Sequence, residues 1–200
     1  MASSWAVNPT QYKNDPTWAL VDTYTFSRLH PTTSTPSPDI LSKAIQNSYT
    51  NNLPHYEVSP SQGKFLMLQA RLIRAKNILE IGTLGGYSTI WLANATPETR
   101  VTTLEINEEF ARVARENWRV SGADVEGRIE CVMGSALGSL EMLEREVEGG
   151  ERGRFDMAFI DADKEHGWEY FDAAVRMCRS GAVVFVDNVV MVREILPLFL

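Results

Sequence analysis

Two short runs of the sequence end in hard oxygen donors. One reads Phe159-Ile160-Asp161-Ala162-Asp163-Lys164 and the other Phe185-Val186-Asp187-Asn188. Each closes an apolar, β-branched stretch of the kind that forms a buried strand, so the polar residues fall at strand tips. Asp161, Asp187 and Asn188 offer only oxygen ligands, which suits Mg²⁺, or a similar cation such as Mn²⁺ or Ca²⁺, with positions left for water and substrate. The alternative for either tip alone is that Asp161 caps the next helix and Asp187-Asn188 makes a turn. Lys164 is the candidate base, because a nearby cation disfavours its ammonium form. Its alternative is an exposed lysine at a helix start.

A second constellation lies upstream, at Glu80-Ile81-Gly82-Thr83-Leu84-Gly85-Gly86-Tyr87-Ser88. It is a glycine-rich turn between a strand and a helix, where backbone can approach a ligand closely. A dinucleotide fingerprint needs glycine two residues after Gly82, and Leu84 stands there, so the pyrophosphate match fails. The acidic Glu80 suits a cationic or amino-bearing ligand better than a diphosphate. Glu105, ending the next strand, can accept hydrogen bonds from both hydroxyls of a ribose. Each feature alone has a plain reading, a tight connection or a solvated strand end; together they favour an adenosine-type ligand without a diphosphate. Other chemistries find little support. His30, His55 and His166 are scattered, and there is no Gly-x-Ser-x-Gly elbow and no Walker loop.

The elements that must position these residues form a regular alternation. Strands are expected at Asn77 to Ile81, Arg100 to Leu104, Arg128 to Met133, Phe155 to Asp161 and Gly181 to Asp187. Between them, one helix starts after Asn107, with Glu108 and Glu109 in its first turn, and buries Phe110, Val113, Ala114 and Trp118. Another carries Leu137, Leu140, Leu143 and Val147, and the last places Trp168, Phe171, Val175 and Cys178 on one face. Ahead of the first strand, Phe65, Leu68, Gln69, Leu72 and Ile73 fall at helical spacing. This order specifies an α/β protein with a mainly parallel, doubly wound sheet, helices on both faces, and ligands beyond the carboxyl ends of the strands. Residues 1–38 are expected to be a helical appendage with Trp18, Val21, Thr25 and Leu29 on one side, closed by the connector His30 to Pro38; residues 39–200 are the main domain, opening with a stripe at Ile40, Leu41, Ala44, Ile45 and Tyr49.

With 200 residues, 44% hydrophobic and 22% charged, the chain is sized and composed for a single globular domain. A net charge of −7 argues against nucleic acid as a partner. Cys131 and Cys178 lack metal-like spacing and read as buried packing residues in a reducing compartment. No apolar run approaches a membrane span, and the first residues lack a leader's pattern, so a cytoplasmic protein is expected.

At these residues the sequence resembles the metal-dependent, S-adenosylmethionine-using O-methyltransferases of the caffeoyl-CoA and catechol O-methyltransferase type. The likeness runs from about Ser59 to Asn188 and rests on Ser59-Pro60-Ser61-Gln62-Gly63, LEIGTLGGYS at 79–88, LEIN at 104–107, IDADK at 160–164 and VDN at 186–188. It implies a Rossmann-like class I methyltransferase fold, with S-adenosyl-L-methionine held by Glu80, Gly82, Gly86, Ser88, Glu105, Ala136, Asp161 and Asp163. It further implies a divalent cation on Asp161, Asp187 and Asn188, Lys164 as the catalytic lysine, and a small aromatic hydroxyl compound as substrate. Members normally continue past the fifth strand with an antiparallel pair, whereas Asn188 is followed here only by VVMVREILPLFL. An uncovered fifth strand predicts a homodimer or impaired catalysis. Val58 and Gly167 depart from the hydroxyl and aromatic residues common at those places, so substrate choice is expected to differ. A non-catalytic cofactor-binding relative and a nicotinamide oxidoreductase are the competing readings.

Overall fold

The computed structural model describes residues 16–189. In chain order these form α1 (Pro16–Leu29), α2 (Pro38–Thr50), α3 (Pro60–Leu72), β1 (Asn77–Ile81), α4 (Tyr87–Ala93), β2 (Arg100–Glu105), α5 (Glu108–Val120), α6 (Ala123–Glu126), β3 (Ile129–Met133), α7 (Ala136–Glu148), β4 (Phe155–Ile160), α8 (Gly167–Met177) and β5 (Cys178–Val186). The expected VVMVREILPLFL tail lies outside the described residues from Val190 onward.

Residues 32–187 make one compact unit. Its five strands are ordered β3-β2-β1-β4-β5 and every pairing is parallel, which is a doubly wound, Rossmann-like sheet. The chain winds outward from β1 to β3 and then returns to the other side of β1 as β4. The switch point therefore lies between the tips of β1 and β4, where such sheets bind ligands.

Alternation along β1 sends Leu79 and Ile81 to one face and Ile78 and Glu80 to the other. The first face carries the main apolar cluster, in which Leu79, Ile81, Leu104 and Ile160 meet Leu140 and Leu143 of α7 and Tyr170, Ala174 and Met177 of α8. Helix starts are fixed locally. Ser59 caps α3 in a reciprocal box with Gln62, Asn107 accepts from Glu109 and Phe110 at the start of α5, and Ser135 accepts from Gly138 at the start of α7.

Two helices bury a different face from the one expected. In α3 the buried residues are Gly63, Leu66, Met67 and Ala70, while Phe65, Leu68 and Leu72 are exposed. In α8 they are Tyr170, Ala173, Ala174 and Met177, while Trp168, Phe171 and Val175 are exposed. Small residues explain both, because they let a helix sit close against its neighbour. A Cβ on Gly63 would lie 2.8 Å from Cγ of the buried Trp91 ring. Cys178 is not helical; it opens β5 three residues before the expected start, because it pairs with Phe155 ahead of a register irregularity in β4.

The other described segment, 16–31 with 188–189, is a separate unit. Within it Arg28 lies 5.4 Å from the centre of the Tyr24 ring, Phe26 stacks on His30, and Val21 and Leu29 of the expected stripe are exposed.

Candidate functional site

The strand tips are held by the sheet itself. The ladder continues one bond past each strand: Gly82 N–H donates to Leu104 O (3.1 Å), Asp161 N–H to Ile81 O (2.8 Å), Asp187 N–H to Ile160 O (2.9 Å) and Gly134 N–H to Glu105 O (2.9 Å). Four segments distant in sequence thus end side by side at one edge.

Gly82 has φ +101°, and a Cβ there would overlap the carbonyl oxygen of Asp161 and lie 2.8 Å from its carbon. The glycine therefore permits the tips of β1 and β4 to touch. Gly86, with φ +70°, starts α4; its Cβ would lie 2.8 Å from Cε2 of Trp118, whose Nε1–H donates to Gly86 O (3.2 Å). Leu84 also takes a left-handed conformation, φ +50°.

Glu80 is fully buried beneath this turn. Ser88 Oγ donates to its Oε1 (2.7 Å) and Thr89 Oγ1 to its Oε2 (2.5 Å). Burial pushes its carboxyl up to about 7; bonds from Ser88, Thr89 and Thr103 oppose the rise, and the charge of Asp161 adds to it. Ser88 thus acts on Glu80 directly. Glu105 is also buried and receives three backbone donors: Leu84 N–H on Oε2 (2.9 Å), and Ile106 and Asn107 N–H on Oε1 (3.0 and 2.8 Å). It clamps the glycine-rich turn to the end of β2. Beside it Ile106 is 71% exposed, an apolar side chain left in solvent. Ala136, half-buried, begins α7 just after the Gly134 bond to β2.

At the tip of β4, Lys164 Nζ pairs with Asp161 Oδ1 at 3.1 Å, and both side chains are largely buried. Burial raises the Asp161 carboxyl above its usual range, Lys164 works against that rise, and the nearby Asp187 charge adds to it. Asp161 and Asp187 follow the paired residues Ile160 and Val186, so they leave adjoining strand tips. Asn188 follows with φ +53°. Among the described residues no three acidic, imidazole or thiol side chains form a metal-holding group. What the edge provides is a pair of carboxylates with one lysine.

Asp163 is exposed and engaged locally. Its Oδ1 accepts from His166 N–H (3.1 Å) and lies 2.8 Å from His166 Nδ1, and Tyr170 OH donates to its Oδ2 (2.5 Å). Burial would raise its carboxyl, but these bonds more than offset it and hold it below the usual range. This clamp fixes the turn that carries Lys164.

Several residues that support the site were not singled out by sequence reasoning: Thr83, Thr89, Thr103, Ile106, Asn117, Trp118 in its polar role, and Tyr170. Thr83 Oγ1 lies 2.6 Å from Thr103 Oγ1 and donates to Leu104 O (3.1 Å). The legible signal for Asn117 is an amide on the otherwise apolar face of a helix. Of the cysteines, Cys178 is buried and Cys131 half-buried; burial raises both thiols, Cys178 to about 11. A cavity lined by Arg100, Arg128, Glu130 and Arg152 lies at the opposite, amino edge of the sheet, and Arg128 and Arg152 there are bound to neighbouring protein groups.

A parallel sheet of this order is the Rossmann-like sheet that class I methyltransferases share with other α/β proteins, and comparisons with known proteins identify the class. The sequence profile of the O-methyltransferase family matches residues 31–196, and the chain belongs to that family, whose members are S-adenosylmethionine-dependent O-methyltransferases. It is 44% identical over 179 residues to the O-methyltransferase imqG of Aspergillus flavus, covering 90% of this chain and 71% of that one. To the catechol O-methyltransferase of Mycobacterium tuberculosis it is 48% identical over 151 residues, 75% of this chain and 64% of that enzyme. The chain thus spans only part of each relative's length. A Bacillus cereus O-methyltransferase solved in complex with SAH superposes with a TM-score of 0.76 at 43% identity, covering 87% of this chain and 74% of that one.

Proposed function

We propose that this chain transfers the methyl group of S-adenosyl-L-methionine to a hydroxyl of a catechol-like, phenylpropanoid or flavonoid-type small molecule, with the help of a divalent metal. The observation that carries the reading is the in-register pairing of β4 and β5, which ends in Asp161 and Asp187 at adjoining tips, with Lys164 paired to Asp161 and Gly82 of the glycine-rich turn against the Asp161 carbonyl. The catechol O-methyltransferase of M. tuberculosis among its relatives favours the same substrate class.

The residues fit the cofactor. Glu105 has lone pairs left for ribose hydroxyls after its three backbone bonds, and Ile106 and Ala136 offer apolar surface to a base. Gly82, Gly86, Glu80 and Ser88 shape the turn around the methionine part, and Asp163 sets the neighbouring β4 turn. The residues also fit a hard cation: Asp161 and Asp187 offer carboxylate oxygens from adjoining, in-register strand tips. Asn188, adjacent in sequence, is assigned as a third ligand by the resemblance alone. A divalent cation bound there, Mg²⁺ or Mn²⁺ or Ca²⁺, lowers the pKa of a coordinated hydroxyl.

Every other step belongs to the chain. Asp161 and Asp187 orient the acceptor's oxygens, Lys164 Nζ in its neutral amine form takes the hydroxyl proton, and the turn holds the sulfonium methyl in line with the nucleophile. The cytoplasm, where free thiols stay reduced, is the proposed location. A homodimer covering the exposed faces of α3 and α8 is the proposed assembly, and sedimentation as a monomer at micromolar concentration would exclude it.

Asp187→Ala tests the metal assignment. Methyl transfer to a catechol should lose its stimulation by Mg²⁺ while SAH still binds in calorimetry. Full metal-stimulated turnover by the variant would refute the assignment.

A further inference from the structure

We propose that Asn117 is a positioning residue that locks the glycine-rich turn to α2 and α5, making α2 a structural part of the cofactor site. The proposal rests on the reading of that turn as the S-adenosylmethionine site.

Asn117 is 2% exposed. Its Nδ2 donates to Gly85 O at 2.8 Å and lies within reach of Ser48 Oγ (3.2 Å) and Ala44 O (3.3 Å), while its Oδ1 accepts from Asn47 Nδ2 (2.9 Å). One buried amide thus joins a turn carbonyl to three residues of α2. The next residue, Trp118, donates to the next carbonyl, Gly86 O. Two successive side chains of α5 therefore hold two successive carbonyls of the turn.

A peptide plane fixed through its oxygen has its N–H fixed in the opposite sense, and Gly86 N–H accordingly closes the turn onto Thr83 O (2.8 Å). The direction of the turn's remaining donors is then set by α5, not by the turn's own sequence. The fit is close on the α2 side as well: a Cβ on Gly85 would overlap Ser48 Oγ and lie 3.2 Å from its Cβ.

The tie between the helices is polar along its length. Besides Asn47 to Asn117, Asn47 Nδ2 reaches Glu116 (3.4 Å), and Arg112 Nη2 donates to Asn51 Oδ1 (2.7 Å). Apolar packing would hold two helices together equally well, but it would not orient a carbonyl. A saturated buried amide specifies one geometry. By linkage, whatever displaces α2 must alter cofactor affinity, and bound cofactor must restrain α2 to the same extent.

The test uses the whole chain, calorimetric titration with SAH well below the melting temperature, and amide hydrogen exchange of residues 44–50. Asn117→Ala and Asn117→Asp should each weaken SAH binding about tenfold or more, as loss of a buried bond to the turn implies. KM for S-adenosylmethionine should rise while kcat at saturation stays within about threefold. SAH should slow exchange in residues 44–50 of the wild type and much less in the variants.

Leu143→Ala, in the apolar cluster on the other face of the sheet, supplies the comparison: a lower melting temperature with unchanged SAH affinity. If the Asn117 variants show only that pattern, their role is structural and the proposal is overturned. Should they fail to fold, Asn47→Ala and Ser48→Ala take their place, and unchanged SAH affinity in both overturns it equally. A wild type that binds no SAH would instead sink the reading of the turn, and the proposal with it.

Discussion

The contact between the tips of β1 and β4 can be probed with one methyl group. Gly82→Ala places a Cβ where the structure has the carbonyl of Asp161, 2.8 Å from its carbon, at a backbone φ of +101°. Two costs add. Holding a non-glycine residue in that region costs on the order of 1–3 kcal/mol. Forcing a methyl into packed backbone costs about 1–3 kcal/mol more. Neither tip can easily retreat, because Gly82 N–H is bonded to Leu104 O and Asp161 N–H to Ile81 O. The sum, roughly 2–6 kcal/mol, corresponds to a fall in melting temperature on the order of 10 °C for a domain of this size. Thermal unfolding followed by circular dichroism gives the shift, and SAH calorimetry on the folded variant should show weakened binding, since relief of the clash must part the turn from Asp161. A variant that melts within about 2 °C of the wild type and binds SAH equally well would refute the claim that this glycine is required for contact between the tips.

Two further predictions concern the buried acids. Glu80 has its carboxyl raised from 4.5 to about 7 by burial, so between those values the folded protein holds a proton that the unfolded chain has released. Stability must then fall as pH rises through this window, by up to about 3 kcal/mol, and level off above it. Glu80→Gln should flatten that slope in denaturant titrations from pH 5 to 8, and an unchanged slope would place the proton elsewhere. Glu105→Gln retains one acceptor oxygen for three backbone donors, so the turn loses a charge-assisted bond worth roughly 1.5–3 kcal/mol. SAH affinity should drop about tenfold or more, and an unaltered affinity would mean that Glu105 is not needed to hold the turn.

Much of this was legible in the sequence, for a physical reason. The second halves of these strands are largely apolar, so the acidic residues that close them, Glu105, Asp161 and Asp187, stand out. Helix starts were legible through Asn107, which caps α5 as its sequence suggests. The buried faces of α3 and α8 were not. Each helix carries two candidate stripes, and the large residues Phe65, Leu68, Trp168 and Phe171 outweigh Gly63, Ala70, Ala173 and Ala174 in any hydrophobic count. Close packing prefers the small ones, and nothing local records which neighbour will be close. Asn117 escaped for a related reason: an amide on an apolar helix face has no visible partner until the fold brings Gly85 and Asn47 to it.

The same logic explains why the chemistry can be carried by segments so far apart. A slip of one residue between β4 and β5 would turn every side chain to the opposite face. The observed register pairs Ile160 with Val186, so Asp161 and Asp187 leave their strands as neighbours. Each tip residue is then fixed by a backbone bond to the strand beside it: Asp161 through β1, Asp187 through β4, and Gly82 through β2. The carboxylates are thus positioned by extension of the sheet's own hydrogen-bond ladder. The turn after β4 and the start of α8 finish the enclosure, where His166 and Tyr170 hold Asp163 and so set the turn carrying Lys164. A site built this way keeps its acids in place while the surrounding loops and helices vary.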